Sequence, residues 1–177
     1  MEGKKTISIS GSSSFSGGTY DAIQISGSGK CAEPFTANSV RVSGSSSLAT
    51  VEAGEMRISG SAKFSGRVSA EKMSVSGVCK IEEDCEAANL QLSGSMYARK
   101  GLRGTNGSVS GSIHVDGDME FEQLTISGAA EVSGLMNAES LTIHLGGSCE
   151  IGEIGGSEIF VDVPPRHAGF LAKLLGG

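Results

Sequence analysis

The chain has 177 residues, of which 27 are glycine and none is tryptophan, with 38% hydrophobic residues and a formal net charge of −6. This length suits one domain, and the negative charge disfavours a nucleic-acid-binding protein, which usually presents a basic face. No hydrophobic run precedes Ile7, so the sequence predicts a cytoplasmic protein without a signal peptide or a segment inserted in a membrane.

After a short arm of residues 1–6, the chain repeats a phrase in which apolar and polar residues alternate on both sides of a Ser-Gly pair. The punctuating glycines recur every 16 or 17 residues: Gly11, Gly27, Gly44, Gly60, Gly77, Gly94, Gly111 and Gly128. A fixed period of this length is typical of a solenoid, and alternation with a period of two is typical of strands. The sequence therefore predicts an all-β, single-stranded parallel β-helix over residues 7–163, with about nine coils of 16–17 residues.

Alignment on these glycines produces apolar columns that we expect to line a triangular core. Two residues before the glycine stand Ile9, Ile25, Val42, Ile58, Val75, Leu92, Val109 and Ile126, with Ile143 one period on. Four residues after it stand Phe15, Cys31, Leu48, Phe64, Ile81, Ala98, Val115 and Val132, and Cys149 continues this column at the ninth corner, where Leu145 replaces the glycine. A third alternating face, with pairs such as Met119 and Phe121, completes the triangle.

Each Ser-Gly pair is expected to form a corner between two faces. We expect the glycine to adopt a positive φ and the preceding serines to form a ladder of hydroxyl groups. Because the same small residues recur in every coil, we interpret the serine column as structural and not catalytic.

Charged residues also align from coil to coil. Five residues after successive glycines stand Glu82, Arg99 and Asp116, and nine residues after them stand Glu86, Arg103 and Glu120. We interpret both triplets as structural charge ladders that fix the strand register and keep the surface soluble. Asn89 and Asn106 align in the same way and predict a short amide ladder.

The sequence contains no evident catalytic, cofactor or metal site. Cys31, Cys79, Cys85 and Cys149 lack the spacing of zinc ligands, and His114, His144 and His167 occupy unrelated positions in the repeat. All four cysteines are expected to point inward as free thiols, with Cys31 and Cys149 in one column. We predict a protein that is not an enzyme and binds no cofactor. The alternatives are a carbohydrate-active β-helix enzyme, an acyl-transferring β-helix enzyme with His114 as its candidate histidine, and a monomeric solenoid adaptor.

The two ends of the repeat predict a contact between molecules. Few residues precede the first strand at Ile7, and an uncovered parallel edge is a template for another chain. At the other end Pro164 and Pro165 stop the last strand, and residues 164–177 form a predicted cap or tail. The candidate polymer interface is Ile7, Ile9, Phe15, Ile159, Phe160, Val161, Phe170, Leu171 and Leu174.

Two coils, Ile58-Ser59-Gly60-Ser61 and Ile126-Ser127-Gly128-Ala129, together with the period near 17, resemble the bactofilins, which are bacterial polymer-forming cytoskeletal proteins. The resemblance covers residues 7–163 and implies a right-handed triangular β-helix that assembles end to end into filaments without nucleotide. It implies a scaffold for cell shape, the envelope or motility, at the inner face of the membrane. The implied partners are the chain itself, a related paralogue, and cell-envelope or motility proteins. The chain departs from the commoner members in its N terminus, which lacks a hydrophobic targeting segment, and in the apolar segment after Pro165.

Overall fold

The computed structural model describes residues 5–144 and 148–162, which form parallel strands and no helix. The strands are β1 (Lys5–Ile9), β2 (Ser12–Ser14), β3 (Gly18–Ile25), β4 (Ser28–Cys31), β5 (Phe35–Val42), β6 (Ser45–Leu48), β7 (Val51–Ile58), β8 (Ser61–Phe64), β9 (Val68–Val75), β10 (Val78–Ile81), β11 (Cys85–Leu92), β12 (Ser95–Ala98), β13 (Gly101–Val109), β14 (Ser112–Val115), β15 (Asp118–Ile126), β16 (Ala129–His144) and β17 (Cys149–Asp162). None of the described segments is a helix that could cross a membrane.

Strands that lie one turn apart pair in parallel. The long strands pair in the series β1, β3, β5, β7, β9, β11, β13 and β15, and the short strands pair in the series β2, β4, β6, β8, β10, β12 and β14. Both series continue into β16, which pairs with β17. The chain is therefore an all-β parallel solenoid of about nine turns, which confirms the fold predicted from the repeat.

The turns as far as β15 have three faces each, although each contains only two strands, whereas β16 and β17 each run through most of a turn as one strand. In β7 the inward residues are Val51, Ala53, Met56 and Ile58, and two successive residues between Ala53 and Met56 point away from the core. The alternation changes phase there because the strand bends, and one long strand thus supplies two faces. The short strand, such as β8, supplies the third face.

The apolar columns predicted from the repeat lie in the core. In the column that begins at Ile9 and ends at Ile143, no side chain is more than 6% exposed. Successive members are paired in register, as Ile58 is with Val75. Because each turn covers the inner face of the next, no single turn needs a core of its own.

The last turn departs from the predicted columns. Cys149 pairs with Ala130, whereas Val132 pairs with Ile151, so Cys149 is displaced by two residues from the column of Cys31. The prediction that these two cysteines share a column is wrong. Between Ile143 and Cys149 the chain has two residues more than the equivalent part of the preceding turn, and this longer connection shifts the register of β17.

The corner glycines are required for a reason other than the predicted positive φ. Among the described residues only Gly18 has a positive φ, so that prediction is wrong for the corners. A Cβ atom on Gly77 would lie 2.6 Å from the carbonyl oxygen of Ser59 and closer still to that of Gly60. Glycine is needed because the backbones of successive corners lie too close together for a side chain.

The corners are joined mainly by backbone hydrogen bonds. The amide N–H of Ser76 donates to the carbonyl of Ile58 at 2.8 Å, and the other corners repeat this contact. The hydroxyl of Ser59 donates to the carbonyl of Val42 at 3.5 Å and not to a neighbouring serine. The serine column is therefore stacked as predicted, but a backbone ladder holds it.

Candidate functional site

The outward face of the short strands carries a column in which charge changes sign along the solenoid. Its members, in order of successive turns, are Ser14, Lys30, Ser47, Lys63, Lys80, Tyr97, His114, Glu131 and Glu150. Cations occupy the N-terminal part of this column, an aromatic pair occupies its middle, and carboxylates occupy its C-terminal part. We call this surface the short-strand face. The sequence could have shown it, because every member stands three residues after a corner glycine or at the equivalent place in the last turn.

The first predicted charge ladder lies beside the short-strand face. Glu82 accepts contacts from Lys63 at 3.7 Å, Lys80 at 3.3 Å and Arg99 at 3.3 Å. Desolvation opposes the shift, but these cations hold the pKa of the Glu82 carboxyl below its usual value. Asp116, the third member of the ladder, is hydrogen-bonded to neighbours on the column instead of to Arg99.

Those neighbours are the ring side chains in the middle of the column. The rings of Tyr97 and His114 are stacked with centroids 5.0 Å apart, and the Tyr97 hydroxyl donates a hydrogen bond to Asp116. His114 contacts Asp116 through Nε2 at 2.8 Å and Glu131 through Nδ1 at 2.9 Å. Hydrogen bonds from Tyr97 and His114 lower the pKa of the Asp116 carboxyl.

Because His114 lies between two carboxylates, the protein should be more stable when its imidazole is protonated. The hydrogen bond to Asp116 and the contacts with Glu131 raise the pKa of His114 above its usual value of 6.5, although desolvation opposes them. A raised folded-state pKa gives stability that is fully present below the unfolded pKa and is lost as the pH rises through the folded pKa. We expect the denaturant concentration at the unfolding midpoint to decrease over the pH interval from about 6.5 to the raised folded-state pKa of His114.

The His114→Gln variant should show a flatter dependence over that interval, since glutamine cannot bind the proton. His144→Gln is the matched control, because His144 contacts only Asp162, at 3.4 Å, among its described partners. A pH profile of His114→Gln that matches the parent would show that this histidine does not link stability to pH.

The second predicted charge ladder lies on a different part of the surface. Arg103 contacts Glu120 at 3.6 Å, whereas Glu86, which is in register with Arg103, contacts Arg67 at 2.8 Å. The predicted amide ladder is present, because Asn106 Nδ2 donates to Asn89 Oδ1 at 3.2 Å. These exposed contacts contribute little stability each and mainly favour one register.

An open groove of about 820 Å³ runs along the bend of the long strands, from Thr36 to Ser157. Its charged lining residues are Glu52, Glu71, Glu86, Glu120, Glu122, Glu139 and Arg103. Alanine and glycine form much of its floor, and neither histidine nor cysteine lines it within the described residues. The groove therefore offers negative charge and hydroxyl groups, but no pairing of a nucleophile with an imidazole base.

The four cysteines are buried free thiols, as the sequence predicts. Burial raises the pKa of the Cys79 and Cys85 thiols well above the usual value, so both stay protonated near neutral pH. In the part of the chain that the structure describes, no group of three or more histidine, cysteine, aspartate or glutamate residues is placed to hold a metal ion.

The N-terminal turn presents an edge that no other described strand covers. β1 pairs only with β3, and β2 pairs only with β4. Ile9 is buried, whereas Ile7 and Phe15 are partly buried against the core. Phe15 packs edge-on against Phe35 at 5.4 Å and Tyr20 at 6.0 Å between ring centroids, and these three rings close the core beneath the free edge.

The corner at Gly11 differs from the later corners in the space around its glycine. A Cβ atom on Gly11 would meet no atom of the described residues within 4 Å, whereas a Cβ on Gly27 would lie 2.7 Å from the carbonyl carbon of Ser10. Each corner glycine faces the preceding turn, so the open space at Gly11 is the space that a preceding turn would fill. Sequence alone did not single out Gly11, because its context is the same as that of its seven relatives.

The C-terminal turn is also incompletely covered within the described residues. Ile159 continues the inward column of Leu141 but is 47% exposed, and Val161 is partly buried. Phe160 is 62% exposed and is paired with Thr142 on the outer surface, so its side chain points away from the core. The predicted contacts Phe170, Leu171 and Leu174 fall outside the described residues.

Comparison of the chain with protein-family models, with curated proteins and with solved structures gave no match.

Proposed function

We propose that the chain is a non-enzymatic structural protein that assembles end to end by stacking its terminal turns. The observation that carries the proposal is the free parallel edge at each end of the described solenoid, next to partly exposed core residues. Inside the molecule, the same kind of edge is satisfied by the next turn through backbone hydrogen bonds and apolar columns. A second molecule can satisfy the terminal edges in the same way.

This assembly needs no nucleotide, because both the hydrogen bonds and the apolar contacts come from the repeat itself. In a cell, such a filament would serve as a scaffold for shape, the envelope or motility, as the resemblance to bactofilins implies. The clients would be envelope or motility proteins, with the chain or a related paralogue as its partner in the filament.

The Gly11→Ala variant tests end-to-end stacking without disturbing the isolated molecule. Its methyl group meets no described residue, but it points to where a preceding turn would lie. If another molecule stacks there with the spacing of an internal turn, the methyl group will clash with its backbone. We expect the concentration needed for assembly to rise by at least about tenfold.

Assembly should be followed by sedimentation and negative-stain electron microscopy without added nucleotide, with circular dichroism as the test of folding. The matched control is Ser10→Ala, which changes the same corner without adding a group that faces the edge. Filaments of Gly11→Ala that form at the parental concentration would overturn stacking at this edge. A parent protein that stays monomeric at every salt and protein concentration would overturn the proposal as a whole.

A monomeric solenoid adaptor is the second candidate, and the long acidic groove is the observation that favours it. A groove with six glutamates and one arginine is complementary to an extended basic segment of a partner. The sedimentation experiment separates the two candidates, because an adaptor would remain monomeric.

A further inference from the structure

We propose that the short-strand face is a second, lateral interface through which two antiparallel copies of this chain pair side by side. The proposal rests on the order of charges along one column of outward residues, and it does not depend on end-to-end stacking. A face with cations at one end and carboxylates at the other is complementary to its own copy when the copy is reversed.

The short-strand face and the ladder of Glu82, Arg99 and Asp116 beside it are charged unequally in their two halves. Around Glu82, three cations share a single carboxylate, which leaves two positive charges in excess on the N-terminal side. On the C-terminal side, His114 is the side chain that contacts both Asp116 and Glu131, it is a cation only when protonated, and Glu150 adds a third carboxylate. Neither half can neutralise itself with its own neighbours.

A two-fold axis that passes between Tyr97 and His114, parallel to the strands, brings the cationic half of one copy against the acidic half of the other. It places Lys80 opposite Glu131 of the copy and Lys63 opposite Glu150 of the copy, because each pair is equally distant from the axis in turns. Such an axis places each column of one copy opposite the same column of the other copy. It therefore also places Arg99 opposite Asp116 of the copy. Every pair occurs twice by symmetry.

The residues beside this column allow two faces to approach. The neighbouring outward column is small, with Ser61, Ser95, Ser112 and Ala129 around Val78. Val78 is 54% exposed, and the same axis places it opposite Ala129 of the copy. A flat surface with one apolar contact on each side of the axis is suited to close packing between copies.

The size of the face indicates a weak contact between single molecules. Four-residue strands over six turns present about 13 by 29 Å, or about 400 Å² per copy, which is half of a typical stable interface. Lateral pairing should therefore depend on salt, and it should become much stronger where several copies are already joined end to end.

Zero-length carbodiimide cross-linking can detect this pairing even if it is weak. Lys63 and Glu150 are five turns apart within one molecule, or about 24 Å, which is too far for a direct amide bond. A cross-link between them must therefore join two copies, whereas a link between Lys80 and Glu82 forms within one molecule and serves as the internal control. We expect the first link at about 0.01 M salt and its loss at about 1 M salt, where charges are screened beyond about 3 Å.

Charge reversal provides the decisive test. Lys80→Glu and Glu131→Lys should each lower the yield of the Lys63–Glu150 link by at least about tenfold, because like charges then meet twice across the axis. A mixture of the two variants should regain the link, since every pair between unlike variants is again attractive. The double variant Lys80→Glu/Glu131→Lys should regain it too.

The matched control is Lys72→Glu, which reverses an exposed charge in the column of Glu55 and Asn89, away from the face. It should leave the link unchanged. Circular dichroism should confirm that all variants are folded, and a variant that merely misfolds would not be rescued by mixing. Absence of the link in the parent at low salt, or failure of the mixture to restore it, would overturn lateral pairing. Retention of the link by either single variant would overturn the antiparallel arrangement.

Discussion

The Gly77→Ala variant is expected to lose about 3 kcal/mol or more of its free energy of unfolding. The added methyl group would lie 2.6 Å from the carbonyl oxygen of Ser59 and nearer still to that of Gly60. These are backbone atoms that belong to the hydrogen-bonded corner, so they cannot move aside as a flexible side chain could. The whole stack must open at this corner, which interrupts the columns on both sides. Chemical denaturation followed by circular dichroism measures the loss.

Gly11→Ala is the control for this variant, because it makes the same substitution in the same Ser-Gly context. In the part of the chain that the structure describes, no atom lies within 4 Å of its new methyl group, so its unfolding free energy should change by less than about 1 kcal/mol. The comparison is made under conditions in which both proteins are monomeric. Equal losses in the two variants would contradict the explanation from close stacking and would indicate a conformational need for glycine at every corner.

The repeat predicts most of the fold because two simple constraints act together in every turn. Alternation with a period of two decides which residues point inward, and the fixed spacing of the glycines decides which residues lie above one another. These constraints account for the buried columns from Ile9 to Ile143 and for the amide ladder of Asn89 and Asn106.

The parts of the fold that the sequence did not predict depend on distances between backbones. The positive φ expected at the corners was wrong, because a glycine can be required by a close neighbour as well as by its own dihedral angle. The column predicted for Cys149 was wrong, because the longer connection after Ile143 shifts the register of β17. This connection occurs once in the sequence, so the repeat itself could not reveal the shift.

The candidate surfaces were predicted unevenly for a related reason. The triplet of Glu82, Arg99 and Asp116 was found as a ladder, but the neighbouring lysines compete for Glu82 and the ring side chains bind Asp116. A single column gives the order of charges along the solenoid, whereas some of the ion pairs, such as Lys80 with Glu82, form between columns. The strand pairing had to be known before those pairs could be assigned.

The Phe121→Ala variant is expected to lose about 3–5 kcal/mol of its free energy of unfolding, because it leaves a cavity inside the stack. Phe121 is 3% exposed and stands in a column that is otherwise alanine and glycine at neighbouring turns, such as Gly104 and Ala138. Its ring extends into the space above Gly107, the one glycine in an aliphatic column between Leu90 and Leu124. The control is Glu120→Ala, an exposed neighbour whose loss should cost less than about 1 kcal/mol.

A double-mutant cycle with Gly107→Ala tests whether the ring and the glycine compensate for each other. A Cβ on Gly107 would lie 3.1 Å from Phe121 Cε1 and 2.7 Å from Leu124 Cδ1, so the single variant is overpacked. Removing the ring creates space into which the end of the Leu124 side chain can move, and the new methyl group fills part of the cavity. We expect the double variant to be more stable than the sum of the two single losses by at least about 1 kcal/mol. Additive losses would show that Phe121 fills its space independently of Gly107. The large residue in one column would then not compensate for the small residue in the other.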